Sequence, residues 1–235
     1  METNNHYGEY GYAAPGLSLS QYIVHTFTWM FIGLMVTFGI AYAGYSTRLI
    51  LYAYTIPYWH YVLLIAEVAV VLILSARIQK LSVGAARGLF LLYAALNGVV
   101  FSAYFLIFSM TSLIFVFAVA AFYFGVFALF GYVTKRDLSG LRPVLMSGLI
   151  FLLVVGLLSF FLPLSSAERI ISLIGLAVFV GFTAYDTQKI KMFYAYYSSD
   201  VAMLDKASIF SALQLYLDFI NIFLYLLRIL GKRKN

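Results

Sequence analysis

The stretch LQLYLDFINIFLYLLRIL, residues 213–230, decides how this chain is read. It is apolar and long enough for a membrane-spanning helix, which needs about 20 predominantly apolar residues, yet Asp218 stands in its middle. A charge at mid-bilayer costs about 2.5–3.5 kcal/mol on insertion scales. The aspartate side chain is short and is flanked on both sides by apolar sequence, so it cannot snorkel to an interface as lysine or arginine does. A carboxylate kept at that cost marks a function.

The composition surrounding this segment makes lipid the solvent. Of 235 residues, 64% are hydrophobic and 10% charged, against about a quarter charged in a soluble domain. Cysteine is absent, which excludes disulfides and thiolate metal sites. The three histidines, His6, His25 and His60, are scattered and argue against a zinc or haem centre. No cofactor, no nucleic-acid partner and no enzymatic activity is expected. Residues 1–20 are polar and rich in Tyr and Gly without the basic start of a signal peptide, and read as a tail outside the bilayer. Residues 21–231 read as one transmembrane domain, and residues 232–235 as a basic C-terminal tail.

Seven spans follow from the apolar runs, at about 21–44, 58–79, 88–108, 113–133, 144–162, 169–188 and 208–230. The runs are continuous rather than alternating, which excludes barrel strands, and backbone satisfaction in lipid then requires helices. The fold class is an all-α integral membrane protein, a seven-transmembrane-helix bundle. The connections are short. SMTS (109–112) joins the third and fourth spans, and Pro143 suits the first turn of the fifth. Ser165 or Ser166 can cap the sixth, with Glu168 in its first turn. The longest late connection is expected between Thr187 and Ala207, around the interfacial aromatic cluster FYAYYSS. No internal repeat of the transporter kind is visible.

Loops on the N-terminal side carry Lys80, Arg87, Lys135, Arg136, Arg142, Lys189, Lys191 and Lys206, and the opposite loops only Arg48 and Arg169. This bias puts the N-terminus in the cytoplasm. The tail KRK (232–234) then falls outside, against the rule, unless the last segment is re-entrant; seven full crossings are the preferred reading.

Glu67, Arg77, Asp186 and Asp218 all lie in or near hydrocarbon. The hairpin of the sixth and seventh spans centres near residue 202, with Asp186 and Asp218 equally distant from it. If both helices run on into the connection, the carboxylates lie at similar depth and face each other, and Arg77, at the cytoplasmic end of the second span, is within reach of one. Two carboxylates close together in a low dielectric cannot both ionise cheaply, so they share a proton, while an arginine favours the charged form. That equilibrium is a pH switch. Calcium takes six to eight oxygens; two carboxylates with carbonyls and waters make a weak, transient site suited to permeation.

TAYDTQKIK (183–191) followed by ALQLYLDFINIFLYLLRILG (212–231) resembles the signature of the Bax inhibitor family, the transmembrane Bax inhibitor motif proteins. The motif match covers about 40 residues near the C-terminus, and seven spans agree with the family over the whole chain. The resemblance implies a bundle with the last helix central, acting as a pH-sensitive calcium leak. It implies that Asp186 and Asp218 are the proton-sensing pair, that Arg77 in LSARIQ is their latch, and that Glu67 in IAEVA belongs to the pore with Asp218. Calcium would be the permeant ion, touched weakly by Asp186 and Asp218. A monomer in a bacterial plasma membrane is expected, with the bilayer, calcium and protons as partners. The tyrosine-rich N-terminal tail is not part of the family pattern.

Other classes fit less well. Two carboxylates on late helices also suit an intramembrane aspartyl protease, but LYL precedes Asp218 where that class has Gly-x-Gly, and Pro-Ala-Leu is absent. A serine intramembrane protease needs a histidine beside a glycine-flanked serine, and only His25 lies clearly inside a span. A retinal pigment needs a lysine in the last span, and residues 208–230 contain none. The alternative that stays open is a non-conducting regulator that binds a membrane protease or another membrane protein of a stress or death pathway. Asn97, Gln214 and Asn221 read as interhelical hydrogen-bond formers, and Gly33, Gly39, Gly125, Gly175 and Gly181 as close-approach positions. Arg228 reads as snorkelling to the outer interface.

Overall fold

The computed structural model describes residues 17–53, 55–159, 161–163 and 166–234, so the tail over residues 1–16 and the cap expected at Ser165 lie outside the described residues. Helices follow in the order α1 (Leu19–Ser46), α2 (Leu49–Ala53), α3 (Trp59–Arg77), α4 (Val83–Ser102), α5 (Tyr104–Ile107), α6 (Met110–Val133), α7 (Arg142–Leu158), α8 (Glu168–Tyr197) and α9 (Val201–Leu230), with a 3-10 turn at Ser139–Leu141 before α7. Seven segments are long and apolar enough to cross a membrane: α1, α3, α4 continued by α5, α6, α7 with its leading turn, α8 and α9. The protein is an all-α integral membrane protein.

Local chemistry sets the helix starts. Ser18 and Gln21 form a reciprocal capping box on α1, each side chain accepting from the other's backbone N–H. Ser82 and Ser109 cap α4 and α6 through their hydroxyls. Pro143 occupies the first turn of α7. Ala167 stands at the N-cap of α8 without a side-chain bond, and Glu168 is the acidic residue of its first turn.

The first five spans fall close to their expected limits, and the last two do not. The connection expected between Thr187 and Ala207 is helix almost throughout: α8 continues to Tyr197, and Asp200 caps α9 by accepting from Met203 N–H at 2.9 Å. At 30 residues each, these helices are about 45 Å long, against a hydrocarbon core of about 30 Å. Hydropathy falls where the lipid ends, but the helices do not stop there, because they go on packing against each other.

Little hydrophobic force drives helices together in lipid, so close packing and interhelical hydrogen bonds must hold the bundle. α9 packs against α1, α4, α6 and α8, and with 67% of its apolar window buried it is the most enclosed of the seven spans. α3 flanks the assembly on α4 and α7 flanks it on α8, each only 11% buried. The closest crossing is α6 on α8: a Cβ on Gly131 would collide with the Ala184 backbone. Gly98 lies against the Thr37 carbonyl and Ile40, both at 2.8 Å from a Cβ position. Gly33, Gly175 and Gly181 meet side chains of neighbouring helices as expected, whereas Gly39 and Gly125 face open space.

Buried hydroxyls join α9 to its neighbours. The Tyr216 hydroxyl lies 2.6 Å from Thr37 Oγ1, which is 2.8 Å from the Ala94 carbonyl. Since a hydroxyl has one proton, Thr37 accepts from Tyr216 and donates to a carbonyl, tying α9, α1 and α4. Ser208 Oγ lies 3.0 Å from Thr26 Oγ1 and 3.2 Å from His25 Nδ1. Asn97 and Asn221 bond carbonyls four residues back in their own helices rather than across helices; only Gln214 of the three crosses, to Lys189.

α9 runs the full height of the bundle. At one end the Tyr194 hydroxyl, near the α8–α9 turn, donates to the Leu17 carbonyl ahead of α1. At the other end Lys234 Nζ donates to the Tyr45 hydroxyl and the Phe105 carbonyl, and Lys234 N–H donates to the Ile107 carbonyl. The last helix therefore finishes at the end opposite to where α1 begins, as a full crossing requires.

Candidate functional site

Asp186 and Asp218 face the α8–α9 seam. Helical spacing puts Asp186, Lys189 and Phe193 on one face of α8, and Ser211, Gln214 and Asp218 on one face of α9. The seam's register is read from pairs across it. Phe193 packs on Phe210 at 6.2 Å, Lys189 Nζ reaches Gln214 Oε1 at 3.5 Å, and Phe179 stacks on Tyr225 at 6.0 Å. Each pair is nearly symmetric about residue 202, and so are Asp186 and Asp218, which puts the two carboxylates at one depth. The turn itself lies at Ser198–Asp200; the register follows from packing rather than from the turn.

Both carboxylates are enclosed, Asp186 at 6% and Asp218 at 3% exposure. Asp186 Oδ1 and Asp218 Oδ2 have no hydrogen-bond partner. The two groups act electrostatically on each other, and Lys189 acts on both. Arg142, at the start of α7, acts on Asp186. Acceptors buried without donors are costly and are the sort of site that a proton or a cation satisfies. Among the described residues no three His, Asp or Glu side chains gather as a metal cage.

Aromatic rings flank the pair along the seam on both sides. Beyond the pair, the Tyr225 ring fills the place where Gly175 lacks a side chain and stacks on Phe179 with an interplanar angle of 29°. Past this stack a cleft of about 580 Å³ opens between α7, α8 and α9, lined by Ser159, Glu168, Tyr225 and Arg228. Arg228 is exposed there and lies over Tyr225 at 5.5 Å. Toward the N-terminal end, Lys189 Nζ stands 5.2 Å from the Phe193 ring, 5.7 Å from Phe210 and 5.9 Å from Tyr185.

Neither sequence candidate on α3 joins the pair. Glu67 faces α4, with Oε1 buried and unpartnered, and lines a separate cleft of about 410 Å³ with His60 and Tyr104. Arg77 is exposed at the end of α3. Among the described residues the ion pair formed is Arg87–Asp205 at 3.4 Å, so the expected contact of Arg77 with an aspartate is not made in this conformation. The reason is placement, since α3 packs along α4 and not along α8. The cation beside the pair is Lys189. In sequence it reads as a loop charge, although its position one turn after Asp186 is a signal of a shared helix face.

A family model described as "Inhibitor of apoptosis-promoting Bax1" matches residues 19–235. The chain is 43% identical over 222 residues to the inner membrane protein YbhL of Escherichia coli K12, covering 94% of this chain and 95% of that protein. It is 38% identical over 212 residues to an uncharacterised protein of Deinococcus radiodurans, covering 90% of each. To one of Borreliella burgdorferi it is 33% identical over 219 residues, covering 92% of this chain and 94% of that protein.

Proposed function

The chain belongs to the family described as inhibitors of apoptosis-promoting Bax1, and we propose that it is a pH-sensitive calcium leak of a bacterial plasma membrane with its N-terminus in the cytoplasm. The observation that carries this reading is the pair itself: Asp186 and Asp218 at one depth in the α8–α9 seam, enclosed, each with an oxygen lacking a partner. Two carboxylates in a dry site cannot both stay charged without a counter-ion. A proton shared between them, or a divalent cation touching both, relieves the same penalty, so protons and calcium compete for one place.

The route we assign follows the seam. An ion enters the cleft at Arg228 and Glu168, passes Tyr225 and Phe179, meets the pair, and leaves past Lys189 and Gln214. The described conformation is the closed one in this scheme, because the aromatic stack and the Lys189 ammonium flank the pair. Opening requires the rings to part, and in this scheme α3, the least enclosed flank together with α7, moves to bring Arg77 toward the aspartates as latch and Glu67 toward the route.

Purified full-length protein in liposomes loaded with a calcium dye tests this. Wild type is expected to leak calcium with a rate that depends on pH, and both Asp186→Asn and Asp218→Asn to change that dependence. Unaltered pH dependence in both variants overturns the assignment of the pair. A folded protein with no flux at any pH favours the role of a non-conducting regulator of another membrane protein.

A further inference from the structure

Lys189 is placed unlike any other cation of the bundle. It lies one turn beyond Asp186 on the same face of α8, and its partner Gln214 lies one turn from Asp218 on α9. The ammonium is held by three rings, those of Phe193, Phe210 and Tyr185, and by the Gln214 side-chain oxygen at 3.5 Å. It acts on both carboxylates without forming an ion pair with either. Three aromatic faces around an ammonium are the chemistry that recognises organic cations, and a strongly hydrated divalent ion gains less from such walls. The four-carbon stem is flexible enough to swing clear. The other charged group nearby is Arg142, which acts on both Asp186 and Lys189.

We propose that Lys189 is a tethered cation that stands in the N-terminal approach to the aspartate pair, in the place a permeant cation must cross, and so determines which cations the pair admits. This rests on the calcium-leak reading of the same site. Its consequence is competition: the ammonium has to leave its aromatic cage before a divalent ion can pass, and removing it leaves the two carboxylates without the one cation that acts on both, Arg142 acting on Asp186 alone of the pair.

The test uses full-length protein in dye-loaded liposomes at neutral pH, with melting curves confirming that each variant is folded. Lys189→Met keeps length and packing but removes the charge, and calcium flux is expected to rise at least about fivefold, the low end of what one unit charge a few ångströms away is worth. Lys189→Gln serves the same purpose if the Met variant is not recovered folded. Lys189→Arg, which keeps the charge, is expected to stay near wild type. In Lys189→Ala, where the cage is vacated, added ethylammonium is expected to lower flux again while leaving wild type untouched; a merely structural lysine would not produce this rescue. Flux in wild type that is unchanged in Lys189→Met overturns the inference alone, as does a raised flux in Lys189→Ala that ethylammonium cannot lower. No flux in any folded variant, Lys189→Met included, overturns the leak reading and this inference with it.

Discussion

The α8–α9 hairpin and α3 both carry a carboxylate inside a span, but they hold it in opposite ways. Asp218 is enclosed by α8 and α9 and faces a second carboxylate and a caged ammonium. Glu67 sits on a helix with 11% of its apolar window buried, packed on α4 and open to a cleft. The hairpin is closely packed and brings its charges together. α3 packs mainly on α4, with Arg77 exposed and Glu67 Oε1 without a partner. Intramembrane charge thus occurs in two settings, one enclosed between helices and one on a helix packed along a single side.

This contrast can be broken most severely at the α6–α8 crossing. Gly131→Leu has no room beside the Ala184 backbone, and overpacking of this kind costs about 1–3 kcal/mol or more. We expect loss of most folded protein in fluorescence-detected size-exclusion chromatography. Leu72→Ala on the exposed face of α3 should cost no more than about 0.5 kcal/mol, as surface changes do. Equal losses would show that α3 is held as firmly as the hairpin.

The carboxylates give the next largest difference. Asp218→Asn is expected to abolish or displace the pH dependence of calcium flux, whereas Glu67→Gln should alter its amplitude and leave the pH midpoint in place. A midpoint moved by Glu67→Gln would bring α3 into the sensing site. Tyr216→Phe removes the donor to Thr37, and an interhelical bond of this kind averages about 0.6 kcal/mol, so a small drop in melting temperature is expected. Arg77→Gln should leave the melting temperature unchanged, because the guanidinium is exposed and unpaired with either aspartate. A change in flux without a change in stability would place the latch in the open state.

The smallest effect is expected outside the spans. The Ser139 N–H and hydroxyl donate to Asp137 at 2.9 and 2.8 Å, and these bonds hold its carboxyl below the ordinary carboxylate range. A depressed folded-state value adds stability above the unfolded-state value and loses it as pH falls through the folded one. Asp137→Asn should therefore flatten the slight decline in melting temperature between about pH 5 and about pH 3, with the variant slightly below wild type at neutral pH and level with it in acid.

Much of this was legible in the residues. Apolar length and the absence of alternation determined seven helices in lipid, because the bilayer leaves the backbone no other way to satisfy its hydrogen bonds. The cost of Asp218 singled out the seventh span as the candidate, and symmetric numbering about residue 202 pointed to Asp186, which is enclosed in the same seam. What could not be read was where helices continue past the lipid, since polarity ends a span without ending a helix. Nor was it legible which glycines are pressed: Gly131 and Gly39 look alike in sequence, and only the crossing of α6 on α8 distinguishes them. The helical spacing of Lys189 from Asp186 hinted at the neighbouring cation, but the exclusion of Arg77 was a matter of tertiary placement. Arg77 and Lys189 are both basic residues near an end of a span, but α3 packs on α4 and α8 on α9. Sequence determines which groups the membrane makes expensive; packing alone decides which of them meet.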